Sequence, residues 1–226
     1  MAGFFLCAAS LTTYKINLYN DKKFYGEAIF MATEIFNERE LYQSYEIIGG
    51  KKFMAPAANS THNALGGRLY MFIGTYLDAN DLGYCFTDSA DVHFPDGSLF
   101  KPDFSVVLKE HEQIIDWRGH IYGTPDMVVE ILSRSTKKKD VTVKKDAYEA
   151  NGVREYWIVD PYMKAISVYL LRDGKYFLDD EYILFDREEF EELTDEEKAE
   201  VKHEVPVSIL GGLKIPLKFI FKWGYR

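Results

Sequence analysis

The sequence has few cysteines, no long apolar run and no excess of basic charge. Its two cysteines, Cys7 and Cys85, form no Cys-x-x-Cys spacing, which argues against a cysteine-bound metal and fits a reducing cytoplasm. Charged residues interrupt every apolar run within about a dozen positions, short of the roughly 20 that a membrane-spanning helix needs. We therefore expect a cytoplasmic protein with no membrane partner.

The net charge of -9 is unusual for a protein that binds phosphates, because nucleic-acid binding draws on clustered Lys and Arg. Most of the acidity lies between Asp186 and Glu204, where ten acidic residues face three basic ones and contribute -7. The remainder of the chain carries only -2, which leaves a nucleic-acid ligand open. An apolar fraction of 47% over 226 residues is sufficient for one folded core.

Apolar periodicity and turn signals predict a mixed α/β domain. Tyr45 to Met54 contains two short strands around Gly49-Gly50, the pattern of a hairpin. Thr61 is predicted to cap a helix whose apolar residues recur at helical spacing as far as Leu77. The remaining predicted elements are strands at Gly83–Phe94, Phe104–Leu108, Met127–Leu132 and Tyr156–Val159, a helix over Asp140–Ala150, and a hairpin of Ala165–Leu171 with Lys175–Leu178. The first two of these strands are expected to pair with each other.

The order of these elements predicts four segments. Residues 1–44 form an N-terminal extension, and residues 45–185 form the core domain. Residues 186–204 form an acidic helical insertion, in which Thr194 and Glu197 have the spacing of a capping box. Residues 205–226 alternate apolar runs with Gly and Pro, and we expect them to return to the core as short pieces.

A single carboxylate interrupts the apolar run Met127–Leu132. Glu130 would be buried on a central strand, which is costly unless the carboxylate is paired, protonated or bound to a cation. Asp103 follows Pro102 at the start of the neighbouring strand, and its carboxylate can point sideways into the same place. Two such carboxylates can hold Mg²⁺, which polarises a phosphodiester and activates a bound water. We therefore predict that Asp103 and Glu130 bind a metal.

The helix after Glu130 offers a cation to the same site. Asp140, Lys144 and Tyr148 are spaced i, i+4, i+8 and share one helix face, so Lys144 can point back towards Glu130. Lys145 points about 100° away. The prediction is a catalytic set of Asp103, Glu130 and Lys144, with the basic run at 137–139 beside it as a possible phosphate contact.

Each of these residues also has a structural interpretation. Asp103 can mark a turn before a strand. Glu130 can be one partner of a buried ion pair, and a helical lysine such as Lys144 is usually solvated. The three together favour a site more strongly than any one of them.

Four further residues are candidates to support the site: His62, Asp126, Asp140 and Tyr148. A histidine on an apolar helix face, such as His62, is more often a hydrogen-bonded core residue than a ligand. Asp126 shares strand parity with Glu130, but its place after Pro125 fits a strand-entry turn equally well.

Three segments together resemble the Uma-two family of restriction endonucleases: KPDFSVV at 101–107, GTPDMVVEILS at 123–133 and GVREYWIVDP at 152–161. The resemblance extends over Tyr45 to Leu178. It implies an α/β fold with a restriction-endonuclease-like PD-(D/E)xK core, in which a central mixed β-sheet is flanked by helices. Leu132 stands where the lysine of the signature belongs; the resemblance implies that this lysine has moved to the following helix, the place of Lys144.

The resemblance also implies a function. It is that of a Mg²⁺-dependent or Mn²⁺-dependent endonuclease that hydrolyses nucleic-acid phosphodiesters, DNA in the first instance, and that often forms a homodimer. Two alternatives remain at this point. A degenerate nuclease fold could bind DNA or a basic protein partner without catalysis, and a metal-dependent hydrolase could act on a smaller phosphate ester, which the low positive charge would suit.

Overall fold

The computed structural model describes residues 45–54, 60–87, 90–133 and 140–222. The predicted extension over 1–44 and the basic run at 137–139 lie outside these residues. Among the residues described, no helix is both long enough and apolar enough to cross a membrane.

The described chain forms short strands and helices in a mixed order. The strands are β1 (Tyr45–Ile48), β2 (Lys51–Met54), β3 (Gly83–Thr87), β4 (Asp91–His93), β5 (Leu99–Phe100), β6 (Phe104–Leu108), β7 (Ile115–Asp116), β8 (His120–Tyr122), β9 (Met127–Ile131), β10 (Glu155–Asp160), β11 (Ala165–Arg172), β12 (Lys175–Ile183), β13 (Glu204–Pro206) and β14 (Lys214–Pro216). The α-helices are α1 (Ser60–Leu69), α2 (Thr75–Asn80), α3 (Lys145–Ala150), α4 (Arg187–Glu192), α5 (Asp195–Glu200) and α6 (Leu217–Ile220). Two π-helical turns, Tyr70–Gly74 and Asp140–Lys144, precede α2 and α3.

Two sheets of six strands each are present in the described residues, and the one with the longer strands is called the larger sheet. It has the strand order β12-β11-β10-β9-β6-β3. Its centre is mixed, because β9 pairs parallel with β10 and antiparallel with β6. Every residue of β9 and β10 is buried, as expected for strands covered on both faces. The predicted central strand at Met127–Leu132 is therefore confirmed.

The smaller sheet has the order β2-β1-β5-β4-β8-β7. Its first two strands form the predicted hairpin, with Ile48 opposite Lys51 and two glycines in the turn. Gly49 and Gly50 have φ values of 54° and 74°, the left-handed conformation that a two-residue hairpin turn requires and that glycine adopts without strain.

The larger sheet lies between two apolar cores. On one face, α1, α2 and the C-terminal segment pack against β9 and its neighbours, with Val129 in this cluster. On the other face, the smaller sheet and α3 enclose Val128 and Tyr148. Neighbouring residues of β9 thus enter opposite cores, because strand side chains alternate. The fold is the predicted α/β class, with a central mixed sheet flanked by helices.

Two predicted elements differ from the structure in the region 60–94. Thr61 lies inside α1, which already includes Ser60, so the predicted cap at Thr61 is wrong. The predicted strand over Gly83–Phe94 is two strands. Only β3 pairs with β6, whereas β4 joins the smaller sheet, because a continuous β-type pattern does not specify which sheet a residue enters.

The segment after β12 contains two helices, not one. Both α4 and α5 begin with a complete capping box, at Asp186 with Glu189 and at Thr194 with Glu197, and neither helix has a buried residue. The chain then places Val205, Ile215 and Leu217 in the core that contains α1. This segment forms β13, β14 and α6.

A buried carboxylate ties this last segment to the larger sheet. Glu155, at the start of β10, accepts hydrogen bonds from the Trp157 indole N–H at 2.7 Å and from the Ile209 backbone N–H at 2.9 Å. Burial raises the pKa of Glu155, while these bonds act in the opposite direction.

Candidate active site

Glu130 projects from β9 into the core between the larger and the smaller sheet, called the smaller core, where it is 2% exposed. Its neighbour on β10 is Ile158, which offers the carboxylate no polar partner. Two partners come from the following helical segment. Lys144 Nζ lies 2.8 Å from Glu130 Oε2, and the Tyr148 hydroxyl donates to Glu130 Oε1 at 2.7 Å.

Lys144 is itself buried, with 5% of its surface exposed. It ends the π-helical turn, and Tyr148 follows four residues later on the same face. Lys145 points elsewhere, with its ammonium 4.1 Å from the centre of the Tyr169 ring. The structure therefore brings Glu130, Lys144 and Tyr148 together, in the arrangement that the i, i+4 spacing predicts.

Glu46 is a member of this cluster that the sequence analysis did not identify. It is 2% exposed on β1, and its Oε1 lies 2.9 Å from Lys144 Nζ. The same oxygen accepts a hydrogen bond of 3.3 Å from the Lys101 backbone N–H. A signal was present, because Glu46 and Ile48 share strand parity and Ile48 enters the core.

Asp103 stands directly before β6, across the ladder from Glu130. Phe104 pairs with Val129, so one step back along β6 corresponds to one step forward along β9. Asp103 Oδ2 accepts a hydrogen bond from the Ile131 backbone N–H at 2.6 Å. Its other oxygen lies 3.3 Å from Nδ1 of His62 on α1. His62 and Asp103 line an open depression of about 130 Å³.

The charges of this cluster suit a divalent cation. Two carboxylates, those of Glu46 and Glu130, share the Lys144 ammonium, and a third, Asp103, stands one strand away beside Ile131. Burial, together with the Glu130 and Glu46 carboxylates, raises the pKa of Tyr148 well above its ordinary value. Tyr148 is therefore a neutral hydrogen-bond donor and does not relieve the negative charge. Carboxylate oxygens are the ligands that Mg²⁺ prefers.

The structure places Asp126 away from this cluster. It precedes β9 at the opposite end from Glu130, about 13 Å along the strand at 3.3 Å per residue. Asp126 accepts hydrogen bonds from the Leu108 backbone N–H at 2.8 Å and from Arg154 at 3.1 Å, and it contacts His111 Nδ1 at 2.9 Å. Asp140 begins the π-helical turn, and its side chain is outside the described part of the structure.

Two other groups of potential metal ligands occur within the described ranges. One consists of Asp91, His93 and His120, and the other of Glu110, His111 and Asp126. Neither includes Asp103 or Glu130. Cysteine chemistry has no support at Cys85, since burial raises the pKa of this thiol to about 12 and disfavours the reactive thiolate.

The family model of Uma2, described as "Putative restriction endonuclease", matches residues 34–197. The chain belongs to the Uma2 family. The match begins before Tyr45 and extends past Leu178, so it is wider than the resemblance found in the sequence and includes part of the acidic segment. Membership in this family supports a nuclease function.

A solved relative of this Uma2 chain supports the fold. The crystal structure of a putative nuclease belonging to DUF820, from Anabaena variabilis ATCC 29413, is 22% identical and superposes with a TM-score of 0.60. The match covers 80% of this chain and 91% of that one. No protein with a curated description matches the chain. In this Uma2 chain Leu132 is 4% exposed and belongs to the smaller core, so an apolar residue fills the place of the signature lysine.

Proposed function

We propose that this Uma2 protein is a Mg²⁺-dependent endonuclease that hydrolyses phosphodiester bonds of DNA. The observation that carries the proposal is the buried Lys144 ammonium held between Glu46 and Glu130. A lysine is rarely buried to this extent unless it is paired, and here two carboxylates share its ammonium. Such a group is suited to stabilising phosphate charge.

Asp103 and Glu130 are the residues that would hold the ion, from two neighbouring strands of the larger sheet. Mn²⁺, which also accepts carboxylate oxygens, would be a suitable replacement. The bound ion would polarise the phosphate and lower the pKa of a coordinated water. The other residues of the site have supporting tasks that follow from their contacts.

Tyr148 and His62 orient the two metal-binding carboxylates. The Tyr148 hydroxyl donates to Glu130, and His62 contacts Asp103 through Nδ1. Partners of this kind fix the direction in which a ligand points. Glu46 holds Lys144 in place, and the Lys144 ammonium can donate to a phosphate oxygen or to the attacking water.

The charge of the chain does not oppose this assignment. The acidic helices α4 and α5 account for most of the negative charge, and the family match continues into them as far as residue 197. The basic run at 137–139 comes directly before the helical segment that carries Lys144, which places it near the site in sequence. A homodimer is part of the proposal, and it stays a prediction from the family resemblance.

Calorimetric titration with Mg²⁺ tests the site without any choice of substrate. Wild type should bind Mg²⁺, and Glu130→Gln should lose most of the affinity because it removes one anionic ligand. Asp126→Asn is the matched control, because it changes an equally buried carboxylate directly before the same strand and should leave Mg²⁺ affinity unchanged. Equal affinities of wild type and Glu130→Gln would refute the assignment. Cleavage of supercoiled plasmid DNA, with EDTA as the negative control, then tests the reaction.

A further inference from the structure

The outward face of the smaller sheet carries two histidines and an aspartate at neighbouring positions. β4 and β8 pair in parallel, with Asp91 opposite His120 and His93 opposite Tyr122. Directly paired residues of neighbouring strands project from the same face, so these four side chains share one side of the sheet. Val92 and Ile121, between them in sequence, are buried in the core on the other side.

The three potential ligands converge. One ring nitrogen of each histidine and one carboxylate oxygen of Asp91 all lie within 4.8 Å of one another. Around a tetrahedral zinc ion with bonds of about 2.1 Å, neighbouring ligand atoms are about 3.4 Å apart. Side-chain rotations that move each ligand atom by about 1 Å would therefore bring all three within bonding distance of one ion. The backbone pairing of β4 with β8 would not change.

Two ring nitrogens of this cluster lack partners. His93 Nε2 and His120 Nδ1 are shielded from solvent and make no hydrogen bond with the described residues. His120 Nδ1 and Asp91 Oδ2 are 3.8 Å apart, beyond hydrogen-bond distance. Shielded polar atoms usually have a partner, and leaving one unsatisfied destabilises the fold. A metal ion would satisfy both nitrogens and Asp91 Oδ2 together.

Neighbouring residues hold these ligands in place. The Tyr122 ring stacks on His93, with 4.7 Å between ring centres and 21° between planes. Lys101 Nζ hydrogen-bonds Asp91 Oδ1, which leaves Oδ2 to face His120. In metal sites, a carboxylate that binds the cation through one oxygen is commonly hydrogen-bonded through the other, and this bond fixes its orientation.

We propose that Asp91, His93 and His120 form a transition-metal site, with Zn²⁺ as the ion that the ligand set fits best. Two imidazoles and one carboxylate suit Zn²⁺, Co²⁺ or Ni²⁺ and are a poor match for Mg²⁺, which prefers oxygen ligands. The site is separate from the carboxylates of Asp103 and Glu130 in both residues and ligand chemistry. Its three ligands leave a fourth position for water or for a ligand from a bound molecule.

The second histidine-containing group lacks these properties and provides the control. Asp126 already accepts from a backbone N–H and from Arg154, and its two oxygens lie 2.9 Å and 3.0 Å from His111 Nδ1. Arg154 also pairs with Glu110 at 3.6 Å. Both oxygens of Asp126 are thus engaged, one by Arg154 and the other by the Leu108 N–H, whereas Lys101 engages Oδ1 of Asp91 and leaves Oδ2 to an ion. We therefore expect that His111 does not contribute to zinc binding.

Zinc titration of the full chain in the presence of excess Mg²⁺ tests the proposal. Wild type should bind one Zn²⁺ at this site, and His93→Gln or His120→Gln should weaken that binding by roughly a hundredfold, since loss of even a supporting partner costs about 10- to 100-fold. His111→Gln should bind as wild type does. Unchanged zinc affinity in both His93→Gln and His120→Gln, with folding verified by circular dichroism, would overturn the assignment.

X-ray absorption at the zinc edge provides a test that needs no variant of the cluster. Wild type loaded with one equivalent of Zn²⁺ should show two imidazole ligands. Zinc held with Asp103 at the nuclease site could gain only one, from His62, so one imidazole or none would contradict the proposal. In Asp103→Asn the two-imidazole signal should persist, and its loss there would place the zinc at the nuclease site instead.

Discussion

Strand β9 has a buried carboxylate at each end, and the two are stabilised differently. Asp126 is bonded to a backbone N–H and to two side chains, His111 and Arg154, that are 42% and 50% exposed. Glu130 is bonded to Tyr148 and to Lys144, a side chain only 6% exposed and shared with Glu46. One carboxylate is hydrogen-bonded to a backbone N–H and to half-exposed side chains, and the other shares a buried ammonium with a second carboxylate.

We propose that this difference separates a metal site at Glu130 from a structural ion pair at Asp126. Burial does not, because Asp126 and Glu130 are both 2% exposed. The distinction lies in the partners, since backbone and guanidinium donors saturate Asp126, whereas the ammonium beside Glu130 is divided between two acids. Removing a charge should therefore affect activity at the Glu130 end of β9 alone, whereas it should affect stability at both ends.

The largest expected effect is that of Glu130→Gln on DNA cleavage. The amide can still accept from Tyr148 but loses the charge that binds a cation. A loss of several kcal/mol in transition-state stabilisation corresponds to about a thousandfold in rate or more. Initial rates of plasmid cleavage at saturating Mg²⁺ measure it. A variant that retains wild-type activity would remove Glu130 from the mechanism.

Lys144→Ala should have the next largest effect. An ammonium is not a metal ligand, so Mg²⁺ affinity should stay nearly unchanged, while cleavage slows by roughly a hundredfold, the usual loss for one preorganised charge-stabilising group. Lys145→Ala, which removes the neighbouring ammonium that faces Tyr169, should leave cleavage within about twofold of wild type. Activity in Lys144→Ala equal to that of Lys145→Ala would exclude the catalytic role.

A second measurement on Lys144→Ala concerns stability. The substitution leaves Glu130 and Glu46 without their shared ammonium, and breaking a buried ion pair costs about 3–5 kcal/mol. Mg²⁺ should restore part of this loss, because a ligand that binds the folded state stabilises it. Thermal unfolding with and without Mg²⁺ tests the expectation. A melting temperature that Mg²⁺ does not raise would contradict a metal site beside Lys144.

Local patterns in the sequence were sufficient for much of the fold and for part of the cluster. The hairpin turn at Gly49-Gly50, the covered strand β9 and the i, i+4 relation of Lys144 to Tyr148 each depend on neighbours in sequence. Asp126 shows the limit of strand parity, which gives the face of a strand but not the distance along it. Its equal parity with Glu130 did not bring it to the cluster.

Contacts between distant segments were not accessible in this way. Glu46 meets Lys144 across 98 positions of sequence, through a smaller sheet whose pairing no local pattern specifies. Asp91 and His120 become neighbours only because β4 pairs in parallel with β8. The division of the predicted strand at Gly83–Phe94 has the same origin, since β propensity is similar in both sheets.

Asp126→Asn tests the other end of β9, where we expect an effect on stability and none on cleavage. The amide keeps a hydrogen-bond acceptor but weakens charge-assisted bonds with Arg154 and the Leu108 N–H, at an expected cost of about 1.5–3 kcal/mol in the free energy of unfolding. The cleavage rate of the folded variant should equal that of wild type. Chemical denaturation and the plasmid assay at low temperature measure both. Lost cleavage with unchanged stability would reverse the proposed assignment of the two carboxylates.

The smallest effect is expected from the acidic segment, which contacts neither end of β9 in the hydrogen bonds and ion pairs described above. We expect replacement of residues 187–200 by a Gly/Ser linker of equal length to leave Mg²⁺ affinity and the cleavage rate within about twofold of wild type, because α4 and α5 have no buried residue. Their capping boxes and exposed ion pairs stabilise mainly the helices themselves, so the whole replacement should cost only about 1–2 kcal/mol of unfolding free energy. The flanking residues remain, so β13 can still place Val205 in the core.

Calorimetry measures the Mg²⁺ affinity of the replacement variant, and thermal unfolding measures its stability. The double substitution Asp186→Ala with Thr194→Ala, which removes only the caps, provides a milder control. Loss of Mg²⁺ affinity in a replacement variant with a wild-type circular dichroism spectrum would show that this segment contributes to the site, and the contrast between the two ends of β9 would then be an incomplete description of it.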